Sequence, residues 1–195
     1  MKAEDTQRKR IIVGMSGASG MPVGILMLHA LRNSGKAEIH LVVTDAAKTT
    51  LQCESEFDLN VLYALADQVY DVRNIGGAIA SGSFPCSGMI VIPCSMKTLA
   101  GIASGYADNL LLRAADVTLK EGRRLVLVVR ECPMSAIHLR NMARLAEIGV
   151  GIFPLVMTFY NKPETIEDMS AHLVSRVLSN FGIEVPGNRS WKGLS

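Results

Sequence analysis

The chain has 195 residues, 49% of them hydrophobic and 5% aromatic, with a formal net charge of +2. This length fits one domain with a real core, and the near-neutral charge, without Lys/Arg runs interleaved with aromatics, argues against a nucleic-acid partner. So much apolar side chain with so few aromatic rings predicts subunit interfaces, and therefore a homo-oligomer.

Cys53, Cys86, Cys94 and Cys132 lie far apart with no CxxC pair, so neither a metal site nor a disulfide framework is expected, and a reducing cytoplasm suits the chain. Residues 1–10 mix acids with Lys and Arg before a short apolar run, unlike a signal peptide. No segment reaches the ~20 apolar residues of a membrane span, so no membrane partner is expected. A single domain is predicted, with a polar extension at 1–10 and a tail at 183–195.

Short apolar runs bounded by Gly, Ser or Pro fall at Ile11–Met15, Ile39–Val43, Met89–Ile92, Leu125–Val129 and Val150–Phe153. They do not alternate with polar residues, as expected of strands buried on both faces. Helical spacing occupies Pro22–Asn33, Ala46–Cys53, Leu59–Ala66, Met96–Ala103, Asp108–Glu121, Ala136–Ile148 and Pro163–Phe181. The alternation predicts an α/β fold, a doubly wound parallel sheet in three α/β/α layers, with ligands beyond the carboxyl ends of the strands. Tyr70–Pro85, rich in Gly and Ser, reads as an irregular excursion, a lid or an interface arm.

The first strand runs into Gly14-Met15-Ser16-Gly17-Ala18-Ser19-Gly20 and then a helix with Pro22 in its first turn. Backbone N–H groups and hydroxyls at a helix N-terminus favour a phosphate. The glycines fall as GxxGxxG without the GxG of a dinucleotide site, which favours a mononucleotide; Asp45, after the second strand, keeps a nicotinamide reading open. A second loop, Pro93-Cys94-Ser95-Met96-Lys97-Thr98, again joins a strand end to a helix start. Ser95 alone reads as an ordinary N-cap.

Arg113, Asp116 and Lys120 share a helical face, where a surface ion-pair ladder is the plain reading. The next strand ends in Arg130-Glu131-Cys132-Pro133, placing a cation and a carboxylate at the ligand edge, with Lys120 expected near them. Arg130 can bind phosphate and Glu131 can move a proton; an Arg–Glu pair fixing a loop is the equal alternative. From the residues alone, Glu54 reads as a solvated helix end, Tyr160 as a packing or loop anchor, and Trp191 as an anchor for the tail. His29, His40, His138 and His172 read as structural, without partner spacing.

Taken in order, the two loops, Ser81-Gly82-Ser83-Phe84, Arg113–Glu121, Arg130-Glu131-Cys132-Pro133 and Phe159-Tyr160 resemble the UbiX-like flavin prenyltransferases, from about Ile11 to Trp191. Within that family the chain is most similar to the branch named for subunits of phenolic acid decarboxylases. The resemblance implies a flavodoxin-like fold assembled as a dodecamer, with sites made by neighbouring subunits. It implies transfer of a dimethylallyl group from dimethylallyl monophosphate to N5 and C6 of reduced flavin mononucleotide (FMN), without metal, for a UbiD-like decarboxylase. Gly17, Ala18, Ser19, Thr44, Ser95, Met96, Lys97, Thr98 and Arg130 match flavin-binding positions. Lys120, Arg130, Glu131, Tyr160 and Arg176 match positions around the prenyl phosphate. Ser19, Glu54, Glu131 and Lys120 match catalytic ones, Glu54 being the carboxylate that assists ring closure. The chain departs from its relatives at Asp45 and in Leu155-Val156-Met157-Thr158, which has fewer prolines before the Phe-Tyr pair.

Two other functions fit the same pattern. A direct aromatic acid decarboxylase would use this pocket itself, but decarboxylation needs an electron sink that a flavin supplies mainly with oxidisable substrates. A flavodoxin-type electron carrier would need an acidic surface around an exposed flavin edge, and this chain is nearly neutral with cations near its loops.

Overall fold

Apolar runs too short for helices and flanked by helical segments on both sides have one economical arrangement, a parallel sheet between two helical layers. The computed structural model, which describes residues 8–185, has that architecture. Its strands are β1 (Lys9–Met15), β2 (Ala37–Val43), β3 (Gln68–Tyr70), β4 (Gly88–Cys94), β5 (Arg124–Val129) and β6 (Gly151–Pro154). They pair in parallel in the order β3-β2-β1-β4-β5-β6. The predicted extension at 1–10 is shorter than expected, because Lys9 and Arg10 already pair with Ala37 and Glu38.

The helices are α1 (Met21–Ser34), α2 (Asp45–Glu54), α3 (Leu59–Ala64), α4 (Met96–Ser104), α5 (Leu110–Lys120), α6 (Ala136–Glu147) and α7 (Ile166–Ser179). Successive strand residues face opposite layers. Ile11 and Val13 pack with Leu28 and Leu31 of α1, Leu51 of α2, Leu62 of α3 and Val174 and Leu178 of α7. Ile12 packs on the other face with Leu99 of α4, Leu110 and Leu111 of α5 and Leu145 of α6. Every residue of the central strand β4 is buried. Among the described residues, no helix is long and apolar enough to cross a membrane.

Strand β3 was not expected from the sequence. Three partly exposed residues at a sheet edge carry no continuous apolar run, and they pair only because Ala66–Asp67 delivers them beside His40–Val42. The segment after β3 is irregular as expected, apart from one 3₁₀ turn at Ala78–Ala80. It starts at the carboxyl edge, where Val72 O accepts from Leu110 N, and crosses to the amino edge, where Ser87 N donates to Arg10 O. Arg123 holds it there, donating from Nη2 to Gly82 O at 2.6 Å and from Nη1 to Phe84 O at 2.9 Å. Phe84 also lies against Arg10 and the edge of the buried His40 ring.

Candidate active site

The strand order reverses direction between β1 and β4, so the two loops singled out in the sequence face each other across the switch point. They are bonded together. Ser16 N donates to Pro93 O at 3.1 Å, its buried hydroxyl donates to the same carbonyl, and Ser95 N donates to Ser16 Oγ at 2.8 Å. Ser16, which matched no flavin position, is therefore the clamp between the loops. Its signal in the sequence was a hydroxyl placed directly after an apolar strand.

Ser95 caps α4 by accepting from Thr98 N, and its hydroxyl donates to Thr98 Oγ1 at 3.2 Å. Met96 and Thr98 are buried while Lys97 is exposed. Thr44 caps α2, accepting from Ala47 N, and its own N–H donates to Met15 O beside the first loop. Asp45 turns aside to pair with Lys48 at 2.7 Å, so this departure from the relatives puts a neutralised carboxylate at the rim. Gly17 is required by closeness: a Cβ there would lie 2.5 Å from Ala46 Cβ and 3.0 Å from its carbonyl carbon. The Gly17-Ala18-Ser19 backbone is thereby pressed onto the start of α2, leaving a cradle that a side chain would fill.

Helix α1 starts at Gly20 without a capping side chain of its own. Glu54, at the end of α2, supplies the cap from outside: its Oε2 accepts from Gly20 N at 2.9 Å and Met21 N at 2.8 Å. This corrects two readings. Glu54 is not a solvated helix end, because α2 crosses the carboxyl edge of the sheet and does not return along its face. Two of the N–H groups expected to receive a phosphate at the start of α1 already hold this carboxylate. Burial would raise the pKa of Glu54, but the Ser19 hydroxyl, these two N–H groups and the positive charge of Arg130 hold it below its ordinary value. Its stabilisation is therefore complete above the ordinary carboxylate pKa of 4.5 and is lost as pH falls below it through the folded value. Thermal melts should show Tm falling on that acid limb and Glu54→Gln making the limb shallower; identical limbs would remove Glu54 from this role.

Arg130 follows β5 directly. Its N–H donates to Cys94 O at 3.2 Å, which puts its exposed side chain beside the second loop. Glu131 is partly buried, and its Oε1 accepts from Cys132 N at 3.1 Å. Ser19, Glu54 and Arg130 thus share one end of the crevice, with Glu131 next in the chain.

The remaining predicted residues lie elsewhere in the protomer. Lys120 is not near Arg130: α5 runs antiparallel to the strands, so its last turn lies at the amino edge, about a strand length away. There Lys120 pairs with Glu121 over Gly82, whose missing side chain makes the space. Arg113 pairs with Asp116 at 2.6 Å, as a surface ladder would. Tyr160 and Arg176 line a groove of about 340 Å³ along β6, walled by Ile152, Phe153, Pro154 and Leu173. Leu155 connects this groove to the first loop, since its Cδ1 lies 2.8 Å from where a Gly20 side chain would begin. His172, read as structural, lies on the same groove, with Nε2 3.1 Å from Tyr160 Oη. No sequence spacing shows a partner reached through a loop. Trp191 lies outside the described residues.

This arrangement defines a doubly wound α/β protein with a crevice lined by hydroxyls and backbone N–H groups at its switch point. The Flavoprotein family model matches residues 1–178. The chain belongs to that family and, within it, to the UbiX-like flavin prenyltransferases. It is 53% identical over 185 residues to a probable UbiX-like flavin prenyltransferase of Escherichia coli O157:H7, covering 95% of this chain and 94% of that one. A solved structure described as a dodecameric FMN-dependent UbiX-like decarboxylase from the same organism superposes with a TM-score of 0.92 at 53% identity, covering 94% and 100% of the two chains. The crystal structure of AnUbiX (PadA1) in complex with FMN and dimethylallyl pyrophosphate gives 0.94 at 46% identity, covering 97% and 100%.

Proposed function

We propose that the chain is a flavin prenyltransferase that joins a dimethylallyl group from dimethylallyl monophosphate to reduced FMN and supplies the product to a UbiD-like aromatic acid decarboxylase. The observation that supports this most is a pair of connected anion stations. One is the hydroxyl-lined crevice at the switch point; the other is the groove in which Arg176 and Tyr160 stand against an apolar wall. A five-carbon branched chain bearing a phosphate has the matching polarity. The similar AnUbiX structure, in complex with FMN and dimethylallyl pyrophosphate, supports the pairing of a flavin with a dimethylallyl donor.

Gly17, Ala18, Ser19, Thr44, Ser95, Met96, Lys97, Thr98 and Arg130 would hold the nucleotide, whose cradle and hydroxyls fit a mononucleotide phosphate. Bound and reduced, the flavin supplies the nucleophilic N5 and C6 positions. The substrate's C–O bond breaks with its electron pair departing on phosphate, so the leaving group gains negative charge. Arg130 and Arg176 stabilise that charge as it grows, Tyr160 donates a hydrogen bond, and Glu131 with Ser19 manages the phosphate proton. Glu54, held as an anion by its two N–H donors, enters ring closure as an acceptor. Lys120, remote within the protomer, serves a neighbouring copy in the homo-oligomer, for which the dodecameric relative is the precedent.

Incubated without oxygen with reduced FMN and dimethylallyl monophosphate, the protein should yield a flavin heavier by one dimethylallyl unit, while phenolic acids incubated with the protein alone stay intact. The pyrophosphate, assayed in parallel, tests the choice of the monophosphate. The charge of the site separates transfer from direct decarboxylation: cations that grip a carboxylate favour its charged ground state and oppose loss of neutral carbon dioxide. Sustained turnover of an aromatic acid with no heavier flavin would overturn the transferase reading.

A further inference from the structure

Tyr160 stands on an irregular segment and is 55% exposed. One group that holds its phenol is on α7. His172 and Arg176 lie four residues apart and share one helical face, and the phenol of Tyr160 lies across the imidazole, ring centroids 5.6 Å apart at 88°. His172 Nε2 is 3.1 Å from Tyr160 Oη, and all three residues line the same groove. We infer that His172 is the positioning residue for Tyr160, fixing the phenol beside Arg176 as a ready-made donor for the phosphate of the prenyl substrate. This rests on the transferase reading above.

The two imidazole tautomers have opposite consequences. If Nε2 carries the lone pair, it accepts the hydrogen bond from the tyrosine O–H and Tyr160 presents only an acceptor, which repels a phosphate dianion. If Nε2 carries the proton, it donates to the phenol oxygen and the tyrosine O–H is the donor of the pair, directed at the ligand. A phosphate in the groove therefore selects the second arrangement, with His172 donating to Tyr160 and Tyr160 donating to phosphate. Because the ring holds the phenol before substrate arrives, part of the ordering cost of binding is met in advance.

His172→Phe keeps an aromatic ring and removes the nitrogen. It should raise KM for dimethylallyl monophosphate by roughly 5- to 10-fold, the scale of one neutral hydrogen bond, with the change falling in KM and not in kcat. FMN affinity should not move. His172→Gln, whose amide N–H can reach the place of Nε2–H, should restore most of the loss. In a Tyr160→Phe background, His172→Phe should cost nothing further, because a residue acting through Tyr160 has nothing left to act on.

Calorimetric Kd values for dimethylallyl monophosphate on the flavin-loaded protein and these variants give the same comparison without turnover. Unchanged KM and Kd in His172→Phe, or a loss that adds in full to that of Tyr160→Phe, would overturn the assignment. If the wild-type protein makes no heavier flavin while His172→Phe still weakens binding through Tyr160, the transferase reading fails and the positioning role stands.

Discussion

Replacing Glu131 by Gln should slow prenyl transfer by about 10²-fold, the contribution of a well-placed general acid–base, while FMN binding stays near wild type. The substitution is close to isosteric and keeps a carbonyl oxygen where Oε1 accepts from Cys132 N. The turn after β5, and with it the backbone of Arg130, should therefore stay in place. Only the capacity to give and take a proton is lost. Arg130 would still neutralise the phosphate, so the defect should appear in the single-turnover rate and not in substrate affinity. Stopped-flow absorbance under anaerobic conditions reads the rate and calorimetry reads FMN binding. A wild-type rate would return Glu131 to the alternative weighed from the sequence, a side chain that fixes its loop.

The second large effect is on stability, at Gly88→Ala. Gly88 opens the buried central strand with φ 143°, between Ile11 of β1 and Arg124 of β5. A Cβ there would lie 2.3 Å from Arg124 O and 2.9 Å from Phe181 Cε1. The carbonyl is backbone in a neighbouring strand and cannot yield without opening the β4–β5 ladder. A backbone conformation that disfavours L side chains costs about 1–2 kcal/mol, and overpacking adds about 1–3 kcal/mol. The expected loss is about 3 kcal/mol, or roughly 6–12 °C in Tm for a chain of this size. Gly105→Ala is the control: φ is 71° but nothing lies within 4 Å of the new methyl, so it should lose only the conformational part. Equal losses in scanning calorimetry would mean that the close approach to Arg124 contributes nothing.

Some site residues were legible because their chemistry is local. Ser95 sits at a helix start and caps it, as its side chain and position dictate; Thr44, brought in by the resemblance, caps α2 in the same way. Gly17 and Gly20 lie in a loop whose composition already marked it as tight. Arg130 and Glu131 were placed at the ligand edge by counting from the end of an apolar run. The resemblance brought in Glu54 and Tyr160, for which the residues alone offered only bland readings, and Arg176, for which they offered none. The structure gives Glu54 a physical reason: it caps a helix that lacks its own cap. The expectation that grouped Lys120 with Arg130 failed within one protomer, because closeness in sequence across a helix–strand turn puts two residues at opposite ends of the strand between them.

The sequence by itself determined the elements and their alternation, since hydrophobic period, strand length and turn residues are read over a few positions, and these made a doubly wound sheet the economical outcome. It could not determine the strand order. Without β3 the remaining five strands read β2-β1-β4-β5-β6, the flavodoxin-like order; the three-residue edge strand extends this to six. A strand that short exists only because its neighbour offers unpaired backbone groups. Tertiary structure alone decided that α2 turns its last carboxylate onto the first turn of α1, that Ser16 ties two loops 77 residues apart, and that His172 reaches Tyr160 across a loop. Each of these is a hydrogen bond between groups distant in the chain, and its partner is fixed by where the packed layers bring the backbone, which no local pattern of residues records.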